Sequence, residues 1–350
     1  MDKTDYIAIY PNQPISYFID GPQSLETDYG ERVFQDKLGM VDGKIMTLNS
    51  KGKITQTSLN TETKSMIEKS SAPIGRLFVS YSNGQENKWF AGSGFLVSPT
   101  HVITAYHVVK PTHENFTLNK VYIYFGVDAT FAREVISDKL PEMEDAFELK
   151  EVPRDFDKKF TKPMTFKDTT WKTTNDIAIL KFVDKTPGIN YLFPLFSENT
   201  DGGHFVVGYP GFINVEKFKI DYGDNHGNAL DNLYSQVQQD TLGFQHKTVS
   251  INQQSGNESG DNLSSHQCPT LRGTSGGLIG KLNNVNPHFV GIHIGGDGDM
   301  QINYWISIKH PLFVHIYFNN IANEQFILEN QTILQPYIEY YNSLQTHTTN

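Results

Sequence analysis

GSGFLVSPTHVITAYHVV, residues 92–109, contains two short apolar runs, GFLVS and HVIT, parted by a Pro-Thr turn. Short runs rich in β-branched and aromatic residues, bounded by turn formers, read as β-strands. The second run ends just before His107, which places that histidine on the turn after a strand. The same pattern recurs on both sides: RLFVSY (76–81), KVYIYFG (120–126), IAILKFV (177–183), HFVVGY (204–209), HFVGIHI (288–294) and NYWISI (303–308). Many short strands with Gly, Pro and Asn between them predict an all-β sandwich or barrel. Helical patterns do not alternate regularly with them, which argues against a βαβ sheet.

Three regions depart from this rhythm. Residues 136–172 are charged and irregular and read as an insertion, and residues 252–268, NQQSGNESGDNLSSHQC, read as a polar loop. After His310 the spacing turns helical, with Phe313, Ile316 and Tyr317 at i, i+3, i+4. Residues 1–71 have mixed polarity and only weak period-two pieces, and read as an N-terminal extension that is either a propeptide or a docking segment.

The chain has 350 residues, 38% of them hydrophobic and 19% charged, with a formal net charge of −10. That is an ordinary water-soluble composition, long enough for a large core. The negative balance and the lack of a basic run argue against a nucleic-acid partner. With one cysteine, Cys268, a monomer has no disulfide, and Cys268 reads as a buried structural thiol. No stretch is long and apolar enough to span a membrane. The first twenty residues lack an apolar run after a basic start, so no cleaved secretory signal is expected. The compartment stays open between cytoplasm and export without a cleaved signal.

Three segments carry the chemistry: TAYH with His107, TNDIAIL (174–180) with Asp176 just before an apolar strand, and LRGTSGGLIG (271–280) with Ser275 between glycines. A serine hydroxyl is a poor nucleophile at neutral pH unless a neutral imidazole takes its proton during attack. A carboxylate must hold the other imidazole nitrogen, fixing the tautomer and stabilising the imidazolium. Glycines beside the serine let backbone N–H groups turn toward a developing oxyanion, and the donors expected here are Gly273 and Ser275. Each motif alone has a plainer reading as a polar niche, a strand cap or a tight turn. Their order and placement beside strands favour catalysis. His101 sits inside the strand run HVIT and reads as structural. No cofactor or metal is expected.

At these residues the chain resembles the trypsin-like superfamily, and within it the bacterial glutamyl endopeptidases, from about Ala72 to Asn319. The marks are T-A-Y-H, N-D-I-A-I-L and G-T-S-G-G, together with V-V-G-Y-P-G (206–211) and G-I-H-I-G-G (291–296). The resemblance implies a mainly β, chymotrypsin-like double six-stranded β-barrel with an N-terminal extension and a C-terminal helix. The expected divisions are 1–71 for the extension, 72–190 and 191–310 for the barrels, and 311–350 for the helical segment. It implies a serine endopeptidase acting on peptide or protein substrates. It also implies that Thr270 and His293 contact the acidic side chain before the scissile bond, while Ile294, Gly295 and Gly296 pair with the substrate backbone. Viral cysteine proteases of this fold use the same Thr and His pair for glutamine, so cleavage after Glu is the expectation and Gln the alternative. Leu278 stands where the superfamily often has Pro.

Two rivals remain. One is a catalytically silent binding module on a protease scaffold. The other is an esterase, because G-T-S-G-G also satisfies G-x-S-x-G; that motif requires a helix directly after the serine, whereas LIGKLNN reads as a strand.

Overall fold

The computed structural model describes residues 61–347 except 111–114, 126–145, 172, 199–201, most of 212–246, 253–255, 267, 269, 271 and 298–301; of residues 1–60 it describes only the backbone of short strands. Most of the N-terminal extension therefore lies outside the described residues.

Helix α1 (Thr61–Ser71) leads into the first barrel. Its strands are β1 (Ile74–Ser82), β2 (Asn87–Ser98), β3 (His101–Thr104), β4 (Thr117–Tyr124), β5 (Phe147–Glu151) and β6 (Ala178–Phe182). They close in the order β4-β5-β6-β3-β2-β1, all neighbours antiparallel. The closure follows from period two: in β4, Val121 and Ile123 are buried while Thr117 and Asn119 face solvent, and in β5, Phe147 and Leu149 are buried between exposed Glu148 and Lys150. Strand β5 corrects the reading of 136–172 as one insertion, because its apolar side chains fill the barrel. Among the described residues, the same stretch also holds a 3-10 turn at Asp155–Lys158 and a small hairpin, Thr165–Phe166 with Thr169–Thr170.

The second half contains β7 (His204–Gly208), β8 (Lys247–Asn252), β9 (Ser264–His266), β10 (Leu278–Lys281), β11 (Gly291–Asp297) and β12 (Ile302–Ser307). They form a sheet ordered β8-β7-β10-β11-β12-β9, extended to seven strands by Ile15–Ile19, which runs parallel to β8. Among the described residues the sheet does not close on itself. The expected pair of six-stranded barrels is thus one closed barrel and one half-barrel. Strand β9 corrects the polar-loop reading of 252–268. Its sequence, Ser-Ser-His, is buried and polar, and its pairing with β12 compensates for the missing hydrophobic pattern.

The tail is helical as expected: α2 (Pro311–Ile316), α3 (Glu324–Glu329) and α4 (Gln331–His347). His310 caps α2 by accepting from the Leu312 N–H at 3.2 Å, and Pro311 begins the helix, where its missing N–H costs nothing. Tyr337 and Tyr340 of α4 donate to the Ile308 and Lys309 carbonyls at 2.7 and 2.8 Å. One hydrophobic cluster runs through the barrel, the second sheet and these helices, so the two halves share a core. Among the described residues no helix is long and apolar enough to cross a membrane.

Lys247, 2% exposed, is buried where β8 meets α1. Its ammonium donates to the Ser71 carbonyl at the α1 C-terminus, 2.6 Å away, and burial lowers its pKa to about 7. No carboxylate faces it among the described residues. Between about pH 7 and the ordinary lysine value the unfolded chain binds more protons, so stability rises with pH across that window and the burial cost is complete below it. Lys247→Met is expected to raise Tm by a few degrees near pH 6, with the gain shrinking toward roughly pH 10. Thermal denaturation at the two pH values measures it.

Candidate active site

His107 lies on a single helical turn, Tyr106–Val109, directly after β3. Val108 and Val109 are buried and pin that turn to the core, leaving the His107 side chain 34% exposed. Asp176 sits just before β6, following Asn175 at φ 54°. The preceding segment holds this corner: the Arg154 guanidinium donates to the Asn175 carbonyl at 2.8 Å and to both Asp157 oxygens, while the Asn175 amide donates to Asp157 at 3.0 Å. The guanidinium also covers the Tyr106 ring at 3.4 Å.

The Asp176 carboxylate is fully buried and takes three donors. Its Oδ1 accepts the His107 backbone N–H at 2.8 Å, and its Oδ2 accepts His107 Nδ1 at 2.8 Å and Trp171 Nε1–H at 2.7 Å. Burial pushes the carboxyl pKa up. The charge of His107 and these hydrogen bonds outweigh burial and hold it below the ordinary value. The ring therefore faces an ionised carboxylate through Nδ1, which leaves Nε2 for proton transfer.

The turn that carries Ser275 packs against the end of β3, just before His107. Gly273 and Gly276 have φ of 97° and 83°. A Cβ on Gly276 would lie 2.1 Å from the Ser93 carbonyl and 2.2 Å from Thr104 Oγ1, so only glycine lets the serine turn press against the end of β3. The Ser93 N–H donates to the Ser275 carbonyl at 3.0 Å, and the Ser93 hydroxyl donates to the Gly273 carbonyl at 2.9 Å and accepts the Tyr209 N–H at 2.8 Å. Neither the Gly273 nor the Ser275 N–H has an acceptor among the described residues. After Ser275 the chain enters strand β10, not a helix, which removes the esterase reading.

Ser93 thus ties the serine turn of the second half to the first barrel. Ser93→Ala is expected to cost about 1–2 kcal/mol of stability and to slow turnover, because the turn loses its anchor. Denaturant melts and kcat measure the two effects.

The expected specificity residues lie on β11 and the segment before the serine. His293 is fully buried, Thr270 is 3% exposed, and Ile294, Gly295 and Gly296 follow along β11, which bulges between His293 and Gly295 opposite β12. No hydrogen bond joins Thr270 to His293 among the described residues. Two residues not singled out in the sequence connect them. His266 Nε2 pairs with His293 Nδ1 at 3.2 Å, and Asn303, opposite His266 in the sheet, donates to Thr270 Oγ1 at 3.1 Å. Burial, followed by the charge of His107, lowers the His293 pKa to about 3, so its imidazole is neutral. His293 Nε2 and Asn303 Oδ1 are buried without a partner.

His101 contacts Ser98 and Thr100, and the Cys268 thiol is buried and donates to the His204 carbonyl at 3.3 Å. A cavity of about 830 Å³ between α1, the 190–196 linker and α4 shares no residue with this site.

A family model described as the trypsin-like peptidase domain matches residues 92–285, more than half of the chain. The chain belongs to this family. Its members act on peptide or protein bonds, and the mainly β fold of one closed barrel and one half-barrel is the chymotrypsin-like fold that the motifs led us to expect. Among solved structures, this trypsin-like peptidase is similar to a Glu endopeptidase in complex with MPD. The identity is 19% over 69% of this chain and 86% of that one, with a TM-score of 0.42. It is also similar to the active form of the Rv3671c protease from M. tuberculosis, at 18% identity over 69% of this chain and 78% of that one, with a TM-score of 0.40. No curated protein matches it.

Proposed function

We propose that this trypsin-like peptidase is a serine endopeptidase in which Ser275 is the nucleophile, His107 the general base and Asp176 the carboxylate that orients it. The observation that carries the reading is the fully buried Asp176 carboxylate, which holds both the ring and the backbone N–H of His107 at 2.8 Å. His107 Nε2 takes the Ser275 proton as Oγ attacks the substrate carbonyl. The Gly273 and Ser275 N–H groups receive the oxyanion. The protonated His107 then gives its proton to the leaving amine, leaving an acyl-enzyme that water hydrolyses with the same base. Ile294, Gly295 and Gly296 supply the edge on which the substrate backbone adds as a strand.

The residue before the cut is Glu or Gln. Thr270 Oγ1 accepts from Asn303 and keeps its own proton to donate, and His293 Nε2 is buried without a protein partner. A fluorophosphonate probe tests the enzyme reading. It should label the wild-type chain at Ser275 and leave Ser275→Ala unlabelled. A wild-type chain that resists the probe and cuts no peptide would instead support a silent binding module.

A further inference from the structure

Of the donors on Asp176, two belong to His107, and the third comes from Trp171, outside the triad motifs. Trp171 follows the Thr165–Phe166/Thr169–Thr170 hairpin, and its backbone N–H donates to the Met164 carbonyl at 2.8 Å, which fixes where the indole starts. From there the indole meets three partners. Its N–H reaches Asp176 Oδ2 at 2.7 Å, its ring stands edge-on to His107 with centroids 6.4 Å apart, and it packs against Tyr304 at 5.6 Å. Its far edge lies over Gly295, where an added Cβ would come within 2.7 Å of Trp171 Cη2. Gly295 is therefore small because the indole occupies the space above it. Ile294, beside it, has no polar side-chain atom, and Asp176 accepts from no other side chain among the described residues.

We infer that Trp171 is a positioning residue for the reaction, holding the Asp176 carboxylate toward His107 with its N–H while its ring braces the β11 strand at Gly295. This rests on the triad reading. A buried carboxylate has about four acceptor sites and needs them filled to stay ionised in one orientation. The indole N–H is a donor with no acceptor lone pair, so it fixes which oxygen edge faces the imidazole. No hydrogen bond joins it to Ser275 among the described residues, and its effect on chemistry passes through Asp176.

The test uses the full chain and the variant Trp171→Phe, which keeps a ring over Gly295 and drops the N–H. We expect kcat on a good peptide substrate to fall about tenfold with KM within about twofold. The indole N–H resonance that disappears in Trp171→Phe should also shift in Asp176→Asn and in Gly295→Ala, since the first removes its acceptor's charge and the second displaces the ring. Wild-type kcat in Trp171→Phe, or an indole resonance indifferent to Asp176→Asn, overturns the inference. A fall in kcat matched by an equal loss of fluorophosphonate-reactive folded protein also overturns it, because it assigns the residue a packing role. Labelling of the wild-type chain by the probe judges the triad separately. If labelling fails while the indole resonance still follows Asp176→Asn, the triad reading falls and the bond to the carboxylate stands.

Discussion

Ser275→Ala is expected to lower peptidase turnover by about ten-thousand-fold or more while leaving the thermal transition nearly unchanged. The hydroxyl is the only group at that position able to form the acyl bond, and its turn is held by backbone contacts that alanine keeps: Ser93 N–H to the residue 275 carbonyl at 3.0 Å and Gly276 N–H to the His293 carbonyl at 2.8 Å. His107→Ala should cost a similar factor, since no other base in the described site replaces Nε2. Asp176→Asn should cost roughly ten-thousand-fold for a different reason: its amide can present a donor to His107 Nδ1 and so favour the wrong tautomer. Residues that act as a unit are not additive, so Ser275→Ala combined with His107→Ala should be little worse than Ser275→Ala alone. Single-turnover and steady-state rates on one peptide substrate, with circular dichroism as the check on folding, decide the matter. Near-wild-type turnover in His107→Ala would remove the assignment.

The strands around the three motifs were legible because β-branched and apolar residues recur there with turn formers between them. Others, β8 (Lys247–Asn252) among them, were not, and two of these show why. Strand β5, FELKE, alternates buried Phe147 and Leu149 with exposed Glu148 and Lys150, but it lies in a run so charged that its period of two is easily passed over. Strand β9, Ser-Ser-His, has no hydrophobic pattern; its three residues are buried because β12 pairs with them. That kind of burial is tertiary, and no local window contains it.

The site divides in the same way. His107, Asp176 and Ser275 sit in short motifs, and the structure brings their segments to one corner. The residues that hold them there come from distant positions. Ser93 bonds to Tyr209 and Gly273, more than a hundred residues away, and Arg154 clamps the Asp176 corner from a stretch that reads as insertion. Trp171 is only five residues from Asp176, yet nothing in WKTTND signals that the indole turns back onto the carboxylate. His266 and Asn303 become visible only once β9 is seen beside β12.

Cleavage profiling on a proteome-derived peptide library is expected to show cuts after Glu and Gln, with Lys, Arg and large aromatics rejected. In the proposed pocket, His293 is expected to carry the discrimination. Its Nδ1 faces His266 Nε2 at 3.2 Å, so when His266 donates, the His293 proton sits on Nε2, which is buried and unpartnered. In that tautomer, and with Thr270 keeping its hydroxyl proton, the proposed pocket would offer two neutral donors to a side-chain oxygen. An apolar residue would leave both dry and unpaired, a penalty of about a hundredfold or more in kcat/KM. His293→Ala should remove most of that preference. The charge state of His293 sets the ratio of Gln to Glu. Because burial lowers its pKa to about 3, it stays neutral across the working range, and neutral donors serve an amide oxygen as well as a carboxylate. The Gln-to-Glu ratio of kcat/KM should therefore be flat from roughly pH 5.5 to 9, above the range in which the substrate carboxylate itself titrates. A Glu preference that climbs steeply as pH falls through about 7 would mean a protonated imidazole and would overturn the neutral-donor account, while preferred cuts after Lys, Arg or aromatics would overturn the pocket itself.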